Sequence, residues 1–239
     1  MSHTLRKMDF RYISRSSDQD MPHYFGMVRD AARPILDTLD HANVLEVGCA
    51  CGDFLGVLSV DYPNHRFTGL DLNPALIREA KQRHPQVAFE CGDFMSSPSA
   101  KGMRFDVVCA LTVHSLFRDV TKFIRLIVQK LAHSGVGFVF GLFNPHPINV
   151  YIEATYADAP EQQVSGWNVV SQQTVSQFLD SMNVRHTWNE YRTEVTKQSS
   201  DGQLFSSWTE EMNDGQKLLV NGLGLIHHFS LLTLHWEGQ

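Results

Sequence analysis

The sequence predicts an α/β protein whose doubly wound, mostly parallel sheet is covered by helices on both faces. Five apolar, strand-like runs alternate with amphipathic helices, which is the pattern that builds such a sheet. Two further strand-like runs follow near the end of the chain, so seven strands are expected. In chain order, the predicted strands cover residues 43–47, 66–70, 87–90, 105–111, 136–142, 184–195 and 227–236.

Two of the helices between these strands carry clear start signals. Asn73-Pro74 supplies a capping side chain followed by a proline in the first helical turn. Glu79 and Arg83 are four residues apart in the same helix, a spacing at which opposite charges attract. Ser171 is the predicted cap of a later helix.

Two other helices are predicted from their apolar periodicity. Residues 120–131 repeat apolar side chains at the 3.6-residue period of a helix, which the turn at Ser134 ends. Residues 24–32 form another apolar stripe ahead of the first strand. Pro34 is expected to break that helix and to start a short one through Leu39, because proline cannot donate a backbone hydrogen bond.

The chain is expected to form one domain over residues 1–239, with three segments added to the sheet. Residues 1–42 form an N-terminal helical cap, and 143–170 and 196–226 are insertions that cover the substrate. The first insertion is expected to be irregular. A short helix is expected in the second, between the glycine turns at 214–215 and 221–222.

The charge balance argues against nucleic acid as a partner. Acidic residues outnumber basic ones by 26 to 20, giving a net charge of −6, and no lysine or arginine run offsets this. No apolar stretch approaches the roughly 20 residues that a membrane helix needs, and the N-terminus lacks the apolar core of a secretory signal. A cytoplasmic protein without a membrane partner is therefore expected, as a monomer or a homodimer.

The four cysteines are not expected to bind a metal. Cys91 and Cys109 lie three predicted strands apart, about 14 Å at ~4.8 Å per strand, whereas a zinc site needs Zn–S distances of about 2.3 Å. The cytosol also disfavours a disulfide, so all four cysteines are interpreted as small, semi-polar residues that fill space.

The strongest local signal is the segment 44–54, Val-Leu-Glu-Val-Gly-Cys-Ala-Cys-Gly-Asp-Phe. A strand enters a tight turn of small residues that opens a helix. Gly48 and Gly52 allow backbone to approach a ligand closely, and the helix N-terminus offers free N–H groups. A dinucleotide fingerprint would need glycine where this chain has Ala50 and Asp53, and that aspartate would repel a pyrophosphate.

Three further signals follow successive strands. Asp71 ends the second strand, where a carboxylate can accept both ribose hydroxyl hydrogens, an arrangement that by itself also fits NAD. After the third strand, Asp93 can accept from an adenine amino group and Phe94 offers a flat apolar wall. The fourth is the strand Phe105–Leu111, which begins Phe-Asp-Val-Val.

Together these motifs resemble those of the class I S-adenosylmethionine-dependent methyltransferases. Glu46, Gly48, Ala50 and Gly52 match the family's first motif, E/D-x-G-x-G-x-G, with alanine in place of the middle glycine. The resemblance covers about residues 44–142 and implies a seven-stranded Rossmann-like sheet with an antiparallel last strand. It implies S-adenosylmethionine as cofactor and S-adenosylhomocysteine as product.

The resemblance also implies the part of the cofactor that each motif contacts. The first loop packs against the methionine portion, the second and third motifs hold ribose and adenine, and backbone near Leu111 accepts from the amino group. Residues 112–117 would then flank the methyl group. The cofactor-binding residues implied are Glu46, Gly48, Cys49, Ala50, Gly52, Asp71, Leu72, Gly92, Asp93, Phe94 and Leu111.

The expected reaction is methyl transfer to a small organic acceptor at oxygen, nitrogen or carbon. Alignment and desolvation supply most of the acceleration, and a base is needed only for an acceptor that is protonated at neutral pH. His114, just past the fourth strand, is the first candidate base. His146 is the second, in an Asn-Pro-His-Pro turn that we interpret as rigid.

The acceptor pocket is expected to come from aromatic residues on the added segments. They are Tyr24, Phe25, Tyr151, Tyr156, Trp167, Phe205 and Trp208. Alternatives are a methyltransferase for a macromolecule such as protein or tRNA, an NAD-dependent reductase or epimerase, and a silent partner subunit that binds the cofactor. Acidity disfavours the first alternative, and Ala50 and Asp53 oppose the second.

Overall fold

The computed structural model describes residues 12–13, 21–94, 102–157, 159–164, 167–195 and 207–238. Helices and strands alternate through the first two thirds of the chain, as the apolar pattern predicts. The helices are α1 (Tyr24–Leu36), α2 (Asp53–Asp61), α3 (Pro74–Arg83), α4 (Val120–Lys130) and α5 (Gln172–Ser181). The first five strands are β1 (Asn43–Val47), β2 (Arg66–Asp71), β3 (Ala88–Cys91), β4 (Phe105–Leu111) and β5 (Leu131–Asn144).

The remaining strands include two hairpins outside the main sheet. In chain order they are β6 (Ala154–Tyr156), β7 (Ala159–Val164), β8 (Val170–Ser171), β9 (Arg185–Tyr191), β10 (Trp208–Glu211), β11 (Lys217–Val220) and β12 (Phe229–His235). β6 pairs with β7 and β10 pairs with β11, while the two-residue β8 pairs with the end of β5.

The main sheet runs in the order β3-β2-β1-β4-β5-β12-β9. β1 to β5 pair in parallel, and β12 is antiparallel to both of its neighbours, β5 and β9. The predicted doubly wound sheet with an antiparallel last strand is thereby confirmed. The order also shows where the winding reverses, between β1 and β4, which the apolar pattern alone does not establish.

Helices cover both faces of the sheet because strand side chains alternate between them. Val44 and Val107 pack with α1, α2 and α3 on one face. Leu45 and Val108, each one residue further along, pack with α4 and α5 on the other face. The apolar stripe predicted for residues 120–131 is the buried side of α4.

The predicted caps of α3 and α5 are confirmed. The Asn73 side chain accepts from the backbone N–H of Ala75 at 2.9 Å, and Ser171 Oγ accepts from the N–H of Gln173 at 3.1 Å. Arg83 Nε donates to Glu79 Oε1 at 2.8 Å. Helix α4 ends at Lys130, four residues before the predicted stop.

The N-terminal helix differs from the prediction at Pro34. α1 continues through the proline to Leu36, and no separate helix follows it to Leu39. The missing proline N–H leaves the carbonyl of residue 30 without its helical donor. That loss falls in the last turn, where helices make their weakest bonds, and Leu36 is fully buried, so packing outweighs it.

The second insertion differs more from its prediction. A short helix was expected at 215–221, and that prediction is wrong. Residues 208–220 form the β10–β11 hairpin, in which Trp208 pairs with Val220 and Glu211 with Lys217. Asp214 Oδ1 accepts from the N–H of Gln216 at 3.0 Å, the local bond that aspartate makes in a turn. The Asp-Gly pair is therefore a hairpin turn. The first insertion, expected to be irregular, likewise contains the β6–β7 hairpin.

Candidate functional site

The reversal of strand order between β1 and β4 places a crevice at the carboxyl edge of the sheet, where ligands of open α/β folds bind. The loops after β1, β2, β3 and β4 all end at this edge. Four sequence motifs that are spread over the 65 residues from Glu46 to Leu111 are thus brought side by side.

The loop after β1 depends on glycine at two positions. Gly48 and Gly52 have φ angles of 73° and 77°, in the left-handed region that favours glycine. A Cβ on Gly48 would lie 2.8 Å from Cγ2 of Val113, and one on Gly52 would overlap the ring of Phe89. The Gly48 N–H donates to the Leu70 carbonyl at 2.7 Å. The loops after β1 and β4 therefore touch only because residue 48 has no side chain.

Asp71 connects the loop after β1 to the loop after β2. Its Oδ2 accepts from the Ala50 N–H at 3.0 Å and its Oδ1 accepts from the Asn73 N–H at 2.8 Å. Ala50 itself has a φ of 48°, unusual for a residue with a side chain, at the position where the family's motif has glycine. Asp71 is thereby fixed at the place where the resemblance expects the ribose.

Glu46 is the least expected feature of the site, because it is buried. Only 4% of the residue is exposed, and its Oε2 has no hydrogen-bond partner among the residues that the structure describes. Burial raises the pKa of Glu46 well above its usual value, and the nearby charges of Asp53 and Asp71 raise that pKa further. Acidic groups thus converge on a place where a bound positive charge would be stabilised.

The adenine side of the predicted site is formed by the loops after β2 and β3. Leu72 is 48% exposed at the edge, and Asp93 is also exposed. The Gly92 N–H donates to the Asp71 carbonyl at 2.9 Å, which joins these loops. Phe94 is only 8% exposed, and its ring packs edge-on against Phe123 with centroids 5.8 Å apart. Leu72 therefore offers more apolar surface to a ligand than Phe94 does.

The end of β4 turns sharply at Thr112, whose φ is 62°. The Thr112 N–H donates to the Phe140 carbonyl and its Oγ1 donates to the Leu111 carbonyl, both at 2.7 Å. The Leu111 carbonyl, predicted to accept from a cofactor amino group, is fixed in position by this turn. One of its two lone pairs is taken by Thr112.

His114 is enclosed beneath this loop. The residue is 0% exposed, its ring stacks on Phe143 with centroids 4.2 Å apart, and its Nε2 lies 3.0 Å from the Leu142 carbonyl. Only a protonated Nε2 can donate to that carbonyl, so the lone pair of the neutral ring is on Nδ1. Within the described ranges, Nδ1 has no partner. Burial lowers the pKa of His114 to about 4.

His146, the second candidate base, lies on the turn after β5 and is exposed. Its backbone N–H donates to Asn144 Oδ1 at 3.0 Å, and the Asn144 amide donates to the Ile148 carbonyl at 2.8 Å. The Asn-Pro-His-Pro segment is thus braced by its own asparagine, in agreement with the interpretation as a rigid turn.

The aromatic residues predicted for the acceptor pocket divide into two groups. Tyr24 stacks on Phe140 at 4.5 Å between centroids, and Trp167 stacks on His227 at 5.6 Å. Tyr151 instead lies under the Arg118 guanidinium, 5.7 Å from its ring centre. Of the other four, Phe25 packs on Phe54, Trp208 belongs to β10 and Tyr156 belongs to β6. Phe205 lies outside the described residues.

Sequence reasoning missed four aromatic residues that join this cluster. They are Phe140, Tyr191, His227 and Phe229. Because β12 is antiparallel, its first residues lie at the carboxyl edge beside the end of β5, where Phe229 pairs with Leu142. The antiparallel last strand implied by the resemblance was the signal that could have placed His227 and Phe229 at the site.

The cysteines are free, and they do not converge. Cys49, Cys51 and Cys109 are buried, whereas Cys91 is exposed on β3. No group of three metal-binding side chains occurs within the ranges that the structure covers. Burial is also the main cause that raises the pKa of Cys51 to about 12. Across the same ranges, no helix has the length and apolar character to cross a membrane.

Comparison with protein families gives a match to a methyltransferase domain over residues 44–135. A trans-aconitate 2-methyltransferase of Methylobacterium nodulans is 34% identical over 86 residues, which are 34% of this chain and 33% of that protein. A malonyl-[acyl-carrier protein] O-methyltransferase of Acetivibrio thermocellus is 28% identical over 120 residues, 47% of this chain and 42% of the relative. The chain thus matches less than half the length of these relatives.

Among solved structures, the N-methyltransferase NodS of Bradyrhizobium japonicum, in complex with S-adenosylhomocysteine, has a TM-score of 0.55. The likeness covers 97% of this chain and 98% of NodS at 18% sequence identity, so it concerns the fold. The domain match begins at β1 and spans the loops after β1 to β4, the same segment that carries the motifs. The family comparison thus supports, over residues 44–135, the resemblance to the class I S-adenosylmethionine-dependent methyltransferases.

Proposed function

We propose that this chain binds S-adenosylmethionine at the carboxyl edge between β1 and β4 and transfers its methyl group to a small organic acceptor. The observation that carries the proposal is the buried Glu46, with an unpartnered oxygen, beside Asp53 and Asp71. Such a place favours a cationic ligand, and S-adenosylmethionine carries two positive charges, one on sulfur and one on its amino group. A dinucleotide, with its anionic pyrophosphate, is disfavoured there.

The residues present fit this cofactor from one end to the other. Glu46 and the Leu111 carbonyl would accept from the amino group, and the backbone of residues 48–52 would lie along the methionine portion. Asp71, which the N–H groups of Ala50 and Asn73 hold in place, would accept from the ribose hydroxyls. Asp93 and Leu72 would hold the adenine, one by hydrogen bonding and the other by apolar contact.

When bound, the cofactor supplies a methyl group on a positively charged sulfur that is a good leaving group. The task of the chain is then to align an acceptor with that methyl group at about 3 Å and to exclude water. The N-terminal helix α1 and the insertions at 143–170 and 196–226 would cover the edge for this purpose. Tyr24 on α1 already stacks on Phe140 of β5, which supports that arrangement.

His114 and His146 remain the proposed proton acceptors for an acceptor that must lose a proton. The Leu142 carbonyl orients His114 so that Nδ1 carries the lone pair, which supports the proposal. Its complete burial and a pKa of about 4 make it a weak base that acts only if the loop after β4 moves. His146 is exposed and would need no such movement.

Isothermal calorimetry with S-adenosylhomocysteine tests the proposed cofactor. We expect binding to the wild-type protein, at least a tenfold loss of affinity in Asp71→Ala, and no loss in Asp40→Asn, an exposed control outside the site. NADH should produce no heat. The proposal is refuted if S-adenosylhomocysteine releases no heat, or if Asp71→Ala binds it as the wild type does.

The acceptor class is tested by methyl transfer from labelled S-adenosylmethionine to a metabolite extract and, separately, to bulk tRNA and denatured protein. We expect label in the small-molecule fraction. Label in tRNA or protein alone would favour the alternative of a macromolecular substrate. The two relatives, named for trans-aconitate and for a malonyl group on a carrier protein, support activity on small molecules without fixing which one.

A further inference from the structure

His227 is a buried histidine at the carboxyl edge that the proposed function does not yet use. It immediately precedes His228 and β12, and the His228 carbonyl accepts from the Phe143 N–H at 3.1 Å, next to the end of β5. Trp167 stacks on His227, and the following residue, Asn168, donates its N–H to the Ser115 carbonyl at 3.1 Å. His227 therefore lies where the loop after β4, the end of β5 and the first insertion meet.

One nitrogen of this histidine is engaged and the other is not. Nδ1 lies 2.7 Å from Ser207 Oγ, while Nε2 has no hydrogen-bond partner within the described ranges, although the residue is only 6% exposed. A buried polar nitrogen without a partner costs free energy, so a site that keeps one has a use for it. A ligand group that hydrogen-bonds to Nε2 would remove that cost.

The surroundings of Nε2 are aromatic. The Trp167 ring is stacked on the imidazole with an interplanar angle of 21°, and the Phe229 ring meets it edge-on at 5.6 Å between centroids. Phe229 in turn stacks on Phe140, and the ring of Tyr24 also stacks on Phe140. These rings favour a flat, apolar guest with one or two polar atoms.

The charges around this cluster disfavour an anionic guest. Burial, followed by the nearby His228, lowers the pKa of His227 to about 4, so the imidazole is neutral at physiological pH. Three cations, in the loop after β4, directly after β9 and on β11, are each paired with a carboxylate. They are Arg118 with Glu153 at 2.9 Å, Arg192 with Glu190 at 2.9 Å, and Lys217 with Glu194 at 2.8 Å.

On the cofactor side of the crevice, Asp71 adds a carboxylate, which repels an acceptor with a negative charge. Trp167 and Ser207, which cover the imidazole, belong to the two insertions and not to the main sheet. An acceptor can therefore reach Nε2 by displacing insertion residues while the sheet stays intact.

We propose that His227 Nε2 is the polar contact for an uncharged, planar aromatic acceptor that carries a hydroxyl or amino group. The proposal rests on the proposed function and adds the acceptor class to it. The proposal predicts that the acceptor pocket distinguishes ligands of similar shape by their charge. This preference should depend on Nε2 of His227.

Calorimetry on the protein saturated with S-adenosylhomocysteine tests this with 2-naphthol and 2-naphthoate, which share one ring system and differ in charge. We expect 2-naphthol to bind at least tenfold more tightly than 2-naphthoate. His227→Phe, which keeps the aromatic stack and removes Nε2, should weaken 2-naphthol about tenfold. His227→Gln should recover part of that loss, and His228→Phe, at the exposed neighbour, should change nothing.

The proposal is overturned if 2-naphthoate binds as tightly as 2-naphthol, if neither compound binds, or if His227→Phe binds 2-naphthol as the wild type does. A parallel titration with S-adenosylhomocysteine separates this failure from failure of the proposed function, because the cofactor should bind equally to both His227 variants. If His227→Phe does not fold, the two-compound comparison on the wild type and His227→Gln still decides.

Discussion

Replacing Glu46 with glutamine should affect the free protein and the cofactor complex in opposite directions. In the free protein, Glu46 is a buried carboxyl beside two acidic residues, and ionising it is unfavourable. Glutamine keeps the shape and removes the charge. For each pH unit above the usual pKa of Glu46 and below its raised pKa, the change should add about 1.4 kcal/mol to the unfolding free energy of the ligand-free protein, because glutamine does not ionise. For a chain of this length, each kcal/mol corresponds to about 2–4 °C in Tm.

The sign of the pH dependence follows from the raised pKa. In the unfolded chain, Glu46 ionises near its usual pKa, while in the folded protein it holds its proton to higher pH. The folded state therefore binds more protons in that window, and the wild type loses stability as pH rises through it. The stabilisation by Glu46→Gln should accordingly be larger at pH 8 than at pH 5.

Cofactor affinity should change in the other direction. A hydrogen bond to a charged group contributes about 1.5–3 kcal/mol and one between neutral groups about 0.5–1.5 kcal/mol, so replacing the carboxylate by an amide oxygen should weaken the binding of S-adenosylhomocysteine roughly tenfold. Thermal unfolding with and without the ligand, together with calorimetry, measures both effects. Glu90→Gln, on the exposed side of β3, is the matched control and should change neither. A Glu46→Gln protein that is less stable without ligand, or that binds the ligand as tightly as the wild type, would contradict the reasoning.

Two further predictions concern Ala50 and the buried histidines. Ala50→Gly should stabilise the protein by about 1 kcal/mol, because the left-handed backbone of Ala50 (φ 48°) strains a residue that has a side chain. Ala75→Gly in helix α3 is the control and should destabilise the protein by a similar amount. If thermal unfolding shows that both changes lower Tm, Ala50 is not strained. His114 and His227 should titrate near pH 4 in a nitrogen NMR titration of the histidine rings, and a midpoint of 6 or above for either would show that it is not desolvated. In the unfolded chain these histidines become protonated near pH 6.5, so between about pH 6.5 and 4 the unfolded state binds more protons than the folded state. The free energy of unfolding should therefore fall as pH drops through that range, by up to ~1.4 kcal/mol per pH unit for each histidine.

The cofactor half of the molecule could be predicted from the sequence because its signals are local. A strand, a small-residue turn and a helix cap follow one another within about a dozen residues, and each is set by backbone conformation or by a capping side chain. Gly48 and Asp71 therefore lie where they were expected. The burial of Glu46 could not be predicted in the same way, since it depends on three helices that pack over β1 from elsewhere in the chain.

The acceptor half could be predicted only in outline because its contacts join distant residues. His227 is defined by Trp167, 60 residues earlier, and by Ser207 on the other insertion. The residues 215–221 show a related limit: a helix and a hairpin both fit so short a segment between glycine turns. Pairing with residues 208–211 decides the outcome, and that pairing is not visible in the segment itself.

The position of β12 has a consequence for how the protein is made. The strand follows both of its partners in the sequence, since it pairs with β5 on one side and with β9 on the other. While a ribosome synthesises the molecule from its N-terminus, β5 and β9 are therefore both complete before the strand that joins them exists. During that interval, the backbone N–H and C=O groups of β5 and β9 that later pair with β12 have no strand partner. Conditions that slow translation of residues 192–235 should lengthen this interval and increase the fraction of nascent chains captured by chaperones.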